Sequence, residues 1–151
     1  MEEPFGVIAP RLATPGYIRA AFVRHPIERF LSGWQSTVIK LNVLGFDEPT
    51  HAAMQDLGQF IDWMTEQDPD TCNVHFRRQS TLVPAGELDL LGRMETFSDD
   101  LAQLLTLIDA PIPADSHLNR SPTTPPELST SQRRRLTDFY EPDFERFGYN
   151  P

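Results

Sequence analysis

The segment FVRHPIERFLSGW at residues 22–34 constrains the fold of this chain more than any other stretch. Apolar and small residues at 17–23 predict a short strand that ends at Arg24. Pro26 follows, and proline suits the first position of a helix because it has no N–H and its φ is already helical. The sequence therefore predicts a strand that leads directly into a helix, with Arg24 at the junction.

The predicted helix carries one apolar face. Its members recur every three or four positions and are Ile27, Phe30, Leu31, Trp34, Val38 and Leu41. The start of such a helix is a natural anion site because it has free N–H groups and the positive end of the helix dipole. Arg24 could grip a phosphate there with two parallel hydrogen bonds. Ser32 lies about two turns along, roughly 9–12 Å from the helix start at 1.5 Å per residue. The plain alternative is a strand-end arginine and a serine on a solvated face.

Residues 22–34 resemble the 3′-phosphate-binding segment of the sulfotransferases, specifically the branch that includes carbohydrate and bacterial members. In that family an arginine at the strand end and a serine eight residues later hold the 3′-phosphate of 3′-phosphoadenosine 5′-phosphosulfate (PAPS), the sulfuryl donor. The resemblance implies these roles for Arg24 and Ser32. It continues in order through HFRRQ, LDLLGRMETFSDDLAQLL, HLNRS and DFERFGY, and covers roughly residues 17–149.

The resemblance implies an α/β, P-loop-like sulfotransferase fold that is helix-rich with a short parallel sheet. We expect a single domain over residues 1–151, with an irregular N-terminal segment at 1–16 and a proline-rich loop at 110–126. The implied cosubstrate is PAPS, without a metal. The implied partner is an acceptor hydroxyl, on a carbohydrate or another small molecule.

One feature of the family pattern is missing. The resemblance implies an early strand–loop–helix with a lysine that holds the 5′-phosphosulfate, but the only lysine here is Lys40, on the helix after Arg24. Residues 1–23 contain no glycine-rich loop followed by a helix pattern. We therefore expect an N-terminally truncated fold, through a missing segment or a lost half of the donor site.

Three functions remain open from the sequence. The first is a PAPS-dependent sulfotransferase, and the second is a non-catalytic relative that binds adenosine 3′,5′-bisphosphate or a protein partner. The third, a phosphate-transferring P-loop enzyme, is disfavoured because the chain has no GxxxxGK[ST] sequence.

Sulfuryl transfer requires a base for the acceptor proton, and His75 is the leading candidate. It lies in a polar segment beside Arg77 and Arg78, and imidazoles titrate near neutral pH. A surface or structural histidine is the alternative. His25 is a rival, although a helix N-terminus disfavours imidazolium, which favours a structural or donor-contacting role. Glu95 is a second rival, with pairing to an arginine as its alternative.

Composition excludes several classes. Thirteen basic against 22 acidic residues give a net charge of −9, which argues against general nucleic-acid binding. Cys72 is the only cysteine, so no internal disulfide can form, and the four histidines are too scattered to predict a metal site. No apolar run reaches the roughly 18 residues of a membrane span. The first residues, Met1-Glu2-Glu3, are acidic and do not resemble a signal peptide. We therefore expect a cytoplasmic protein.

Three further helices and one strand are predicted. An apolar stripe from Met54 to Met64 indicates one helix, and a short buried strand is predicted within residues 86–92. Ser98 is the predicted N-cap of the next helix, whose buried stripe comprises Leu101, Leu104, Leu105 and Ile108. The last helix begins at Ser129 or Ser131 and ends at Pro142. Its three consecutive arginines, residues 133–135, are interpreted as a solvated face, with a binding patch as the alternative.

Overall fold

The computed structural model describes residues 16–83, 86, 88–112 and 125–151. The elements of this part of the chain are β1 (Ala20–Val23), α1 (Pro26–Trp34), a π-helical segment (Gln35–Lys40), α2 (Glu48–Met54), α3 (Leu57–Met64), α4 (Gln79–Leu82), β2 (Leu90–Arg93), a 3₁₀ segment (Met94–Thr96), α5 (Phe97–Leu107), α6 (Thr130–Phe139) and α7 (Glu141–Phe147). The prediction of a helix-rich α/β chain with a short parallel sheet is confirmed.

The chain divides into two compact units. Unit 1 comprises Met1–Val23 and Pro84–Arg120, and unit 2 comprises Arg24–Val83 and Ser121–Pro151. The single domain over 1–151 stays a prediction. Residues 1–15 of the predicted irregular N-terminal segment, and residues 113–124 of the predicted proline-rich loop, lie outside the described residues.

In unit 1, β1 and β2 pair in parallel, with Phe22 opposite Gly92. A Cβ at Gly92 would lie 2.5 Å from Phe22 Cε1, so only glycine allows the ring to cross this strand. The ring also contacts Phe97, at 5.2 Å between centroids. The predicted strand is therefore present, but the prediction that it is buried is wrong, since Leu91 is 40% exposed and only Gly92, which the aromatic ring covers, is buried.

Helix α5 begins earlier than predicted. Its N-cap is Thr96, so the prediction of Ser98 as the cap is wrong. The carboxylate of Asp100 accepts hydrogen bonds from the backbone N–H of Arg93 and from Thr96 Oγ1, both at 2.7 Å. These bonds hold the pKa of Asp100 below its usual value. This carboxylate in the first turn thereby fixes the start of the helix.

The predicted buried stripe of α5 is also wrong. Its three leucines are half-buried and Ile108 is 49% exposed. The described part of unit 1 contains two four-residue strands and no second α-helix, so little apolar surface is available to cover them.

Unit 2 is built around α1. Its core is a cluster of buried apolar and aromatic side chains, which are Ile27, Phe30, Leu31, Trp34, Val38, Phe60, Ile61, Met64, Phe76, Leu136, Phe139, Tyr140 and Phe144. The predicted apolar face of α1 is therefore buried except at Leu41, which is 70% exposed and was predicted wrongly. The helix continues as the π-helical segment before Leu41. A π-helix has more residues per turn than an α-helix, so the residues after it no longer lie on the face that the α-helical period predicts.

The other predicted helices of unit 2 each divide in two. The Met54–Met64 stripe spans α2 and α3, because the Asp56 side chain accepts from Gln59 N–H and caps a new helix. Ser129 caps α6 through a complete capping box with Gln132. Pro142 does not simply end the last helix, since it occupies the first turn of α7, where proline is tolerated.

The carboxylate of Asp143 holds α4 against α7. It is fully buried, and it accepts from the backbone N–H groups of Gln79 at 2.8 Å and Ser80 at 2.7 Å. These are the first N–H groups of α4, which have no partner within the helix. A single buried carboxylate from the C-terminal helix thus fixes the position of Gln79.

We expect Asp143→Asn to lower the free energy of unfolding by about 1.5–3 kcal/mol, since one N–H of α4 would face an amide NH₂ instead of an oxygen. The measurement is urea denaturation followed by tryptophan fluorescence, because both tryptophans, Trp34 and Trp63, lie in unit 2. Asp138→Asn, at an exposed position of α6, is the control and should change stability by no more than about 0.5 kcal/mol. Equal losses in the two variants would contradict this role.

Candidate functional site

A cavity of about 400 Å³ in unit 2 brings together all three residues predicted from the sequence. Arg24 and Ser32 line it from the junction and from α1, and His75 lines it from the turn before α4. The remaining lining residues are Arg29, Gly33, Ser36, Val74 and Leu82. Two arginines and two serines on one cavity wall make a surface suited to an anionic ligand.

The backbone of Arg24 is held by a buried amide. Arg24 N–H donates to Gln79 Oε1 at 2.9 Å, and Gln79 Nε2 donates to the Arg24 carbonyl at 2.8 Å. Gln79 is only 5% exposed, and Asp143 fixes its backbone. The junction therefore has a defined position although it is neither strand nor helix.

The side chain of Arg24 is less constrained. Its guanidinium lies 3.5 Å from Glu28 Oε2, one turn along α1. The two side chains are 36% and 49% exposed, and an exposed i,i+4 pair of this kind contributes about 0–1 kcal/mol. A bound anion could replace Glu28 at small cost.

The side chain of His25 contacts residues near the C-terminus. Its Nε2 donates to the Asn150 carbonyl at 3.0 Å, and its ring meets Phe144 and Tyr149 edge-on at 5.5 Å. His25 is the N-cap of α1 but makes no side-chain capping bond, so the first N–H groups of α1 are left to other partners. It does not line the cavity that contains His75.

Ser32 and Gly33 lie where α1 approaches the turn formed by residues 73–77, called the His75 turn below. No hydrogen-bond partner of Ser32 Oγ is found among the residues that the structure describes. The neighbouring Ser36 hydroxyl instead donates to the carbonyls of Ser32 and Gly33, at 2.9 and 3.1 Å. Ser32 thus presents a hydroxyl at the cavity without a partner in the described chain, whereas the Ser36 hydroxyl is bonded to the backbone.

His75 lies in a tight turn that is tied down on several sides. Its Nδ1 lies 2.9 Å from Asn73 Oδ1, and its backbone N–H donates to the same oxygen. The next residue, Phe76, is fully buried, and its carbonyl accepts from the Tyr140 hydroxyl at 2.6 Å. Burial raises the pKa of Tyr140, so the phenol stays protonated and remains a donor.

Arg29 is the site residue that sequence reasoning missed. Its guanidinium donates to the carbonyls of Arg77 and Val74, both at 2.8 Å, and so ties α1 to the His75 turn. Burial lowers its pKa, yet arginine remains charged in proteins. No carboxylate lies within ion-pair distance of Arg29 in the described part of the chain. Its spacing from Ser32 and Ser36, three and seven residues, could have indicated one common helix face.

The neighbouring arginines face other partners. Arg77 donates to the Cys72 carbonyl and Arg78 to the Phe139 carbonyl, so both stabilise the turn and do not line the cavity. Glu95, the rival base, lies in the 3₁₀ segment of unit 1. Residues 133–135 are exposed, and Arg135 pairs with Asp62.

Two negative findings concern the described residues alone. Their histidine, cysteine and carboxylate side chains form no cluster that could hold a metal ion. None of their helices combines the length and the apolar character that crossing a membrane requires.

Comparison with known families gives one match. A sequence model described as "Sulfotransferase family" matches residues 7–150, nearly the whole chain. The predicted family and its P-loop-like fold class are thereby confirmed. Neither the search of curated proteins nor that of solved structures returned a significant match.

We expect Gly33→Ala to destabilise unit 2 by roughly 1–2 kcal/mol. A Cβ there would lie 3.1 Å from Phe76 Cε1, and this buried ring cannot move aside. Overpacking costs about 1–3 kcal/mol, while the helix propensity of alanine returns up to about 1 kcal/mol. Urea denaturation measures the effect.

Gly58→Ala is the matched control for this substitution. The nearest atoms to its Cβ, Asp56 Oδ1 at 3.1 Å and Gln132 Nε2 at 3.3 Å, belong to two helix-capping side chains and not to a buried ring. We expect the control to lose less stability than Gly33→Ala, at most the roughly 1 kcal/mol that a helix cap contributes. Stability equal to wild type in Gly33→Ala would contradict a close approach of α1 and the turn.

Proposed function

Because the chain belongs to the sulfotransferase family, we propose that it transfers a sulfuryl group from PAPS to a hydroxyl group of a carbohydrate acceptor. The observation that carries this proposal is the convergence of Arg24, Ser32 and His75 on one cavity. Sulfotransfer in general follows from the family; the donor and the acceptor class are the proposal.

The lining of the cavity fits the 3′-phosphate end of the donor. Arg24 offers a guanidinium with only a weak partner, and Ser32 offers a hydroxyl that makes no hydrogen bond to the described protein. Arg29 adds positive charge that makes no direct ion pair in the described chain, although the buried Asp143 carboxylate acts on it electrostatically. In our proposal Arg24 and Ser32 bind the 3′-phosphate through charge-assisted hydrogen bonds.

His75 is proposed as the general base. PAPS supplies the sulfuryl group, and the acceptor oxygen forms the new bond to sulfur while the bond from sulfur to the 5′-phosphate oxygen breaks. His75 takes the proton of the acceptor hydroxyl at Nε2. The products are a sulfate ester and adenosine 3′,5′-bisphosphate, so atoms and charge balance once the proton leaves the imidazole.

We expect Arg24→Ala to weaken binding of adenosine 3′,5′-bisphosphate by about 1.5–3 kcal/mol, the scale of a hydrogen bond to a charged group. Titration calorimetry measures this, with adenosine 5′-monophosphate as the ligand that lacks the 3′-phosphate. The substitution should lower the affinity for the bisphosphate until it approaches the affinity for the monophosphate. The affinity for the monophosphate itself should remain almost unchanged.

Arg134→Ala is the control for this experiment. It removes an arginine from an exposed position of α6 that does not line the cavity. Both variants carry the same net charge, so a difference between them reports position and not total charge. Equal affinities would refute the role of Arg24.

His75→Ala should lower the rate of sulfuryl transfer by about 10²–10⁴-fold, the usual contribution of a general base. The assay incubates the protein with PAPS and a panel of mono- and oligosaccharides and detects sulfated products by mass spectrometry. Binding of adenosine 3′,5′-bisphosphate should be retained, because the base contacts the acceptor side of the reaction. Transfer at the wild-type rate would mean that the base lies elsewhere.

A non-catalytic relative that binds adenosine 3′,5′-bisphosphate is the second candidate. It is favoured by the position of Lys40, which ends the π-helical segment and does not line the cavity. The same two assays separate the candidates, since nucleotide binding without sulfated product from any acceptor would favour this one.

A further inference from the structure

The side-chain oxygen of Asn73 contacts two nitrogens of His75. It lies 3.1 Å from the backbone nitrogen and 2.9 Å from Nδ1. A backbone N–H can only donate, so the Asn73 atom that faces it must be the amide oxygen. An amide oxygen can only accept, and therefore Nδ1 must carry a hydrogen.

A neutral imidazole carries a hydrogen on one ring nitrogen only, so a protonated Nδ1 leaves the lone pair on Nε2. We propose that Asn73 is a positioning residue that fixes His75 in the Nδ1–H tautomer and so makes Nε2 the proton-accepting atom. The contact stands on the geometry alone, whereas its catalytic consequence rests on the proposed function.

The turn that carries both residues is held in place. The Asn73 carbonyl accepts from the N–H groups of Phe76 at 2.8 Å and Arg77 at 3.0 Å. Arg29 and Tyr140 bind the carbonyls on either side of His75, as described above. Although the His75 side chain is exposed, its ring is oriented by a constrained backbone.

The choice of an amide is chemically apt. When Nε2 takes a proton the ring becomes cationic, and the bond from Nδ1–H to the amide oxygen strengthens because its donor is now charged. A carboxylate at position 73 would give a still stronger bond, but would add a full negative charge beside a cavity proposed to bind an anionic donor. Asparagine orients the base without that repulsion.

The tautomer can be observed directly by long-range ¹H–¹⁵N NMR on the full, ¹⁵N-labelled chain. His75→Gln identifies the His75 signals among those of the four histidines. In wild type we expect the neutral ring of His75 to be protonated mainly on Nδ1. Asn73→Ala should lose this preference, and the matched control Asn150→Ala, which keeps the backbone carbonyl that His25 uses, should retain it.

Kinetic measurements test the catalytic effect of the contact between Asn73 and His75. Asn73→Ala should lower kcat on the order of 10–100-fold, the range seen when the orienting partner of a metal-bound histidine is removed, with unchanged affinity for adenosine 3′,5′-bisphosphate. Asn73→Asp should keep the tautomer and move the acid limb of the pH–rate profile to higher pH, because a carboxylate stabilises the imidazolium. A merely structural residue would alter stability without moving this limb.

A His75 ring protonated mainly on Nε2 in wild type, or an unaltered tautomer in Asn73→Ala, would overturn the inference. An unshifted acid limb in Asn73→Asp would overturn its catalytic part. If transfer survives in His75→Gln while wild type shows the Nδ1–H tautomer, the proposed base is refuted and the contact between Asn73 and His75 is supported, so the two failures are distinguishable.

Discussion

The two hydrogen bonds from Arg29 to the carbonyls of Val74 and Arg77 are the interaction on which the site depends. Arg24 and Ser32 belong to α1 and its start, whereas His75 belongs to a turn more than forty residues later in the chain. A guanidinium can join the two because its donors form a rigid planar fork. Each such bond to a charged donor contributes about 1.5–3 kcal/mol, which offsets part of the cost of burying the charge. Since carbonyls carry no full charge, these bonds join the two segments without forming an ion pair, and the buried Asp143 carboxylate is a fully charged electrostatic partner of Arg29.

Aromatic packing makes this tie possible. The ring of Phe76 packs against those of Phe30 and Phe60, at centroid distances of 5.5 and 5.1 Å, and these two rings also contact each other at 5.7 Å. Such pairs contribute about 0.5–1.5 kcal/mol beyond the area they bury. The ring therefore anchors the turn in the core, and Gly33 lets α1 come close enough for the polar bonds to form. Apolar burial supplies the energy, and the polar bonds to the carbonyls on either side of His75 supply the orientation.

The local part of the site could be predicted from the sequence, because a strand, a proline and a helical period fix where Arg24 and Ser32 lie relative to each other. His75 was reached only through chemistry and family resemblance, and its meeting with Arg24 depends on contacts distant in sequence. Asp143, which holds Gln79 and through it Arg24, reads in the sequence as one more acidic residue in a first turn. The wrong predictions, Leu41, Ser98 and the stripe of α5, have a similar origin, since periodicity and capping preferences do not encode a π-helical widening or which tertiary surface will cover a helix.

The charge of the chain and the charge of the cavity have opposite signs. The net charge is −9, yet the cavity wall carries Arg24 and Arg29, with Glu28 paired to Arg24 beside it. At physiological ionic strength the screening length is about 8 Å, so acidic groups farther away act weakly on a ligand in the cavity while the two arginines act at contact distance. A ligand with one phosphate placed against Arg24 gains the full local attraction, whereas a polyanion spread over the surface meets mostly repulsion. The acidic surface thus favours a compact anion over an extended one, and this selectivity does not require any further residue in the cavity.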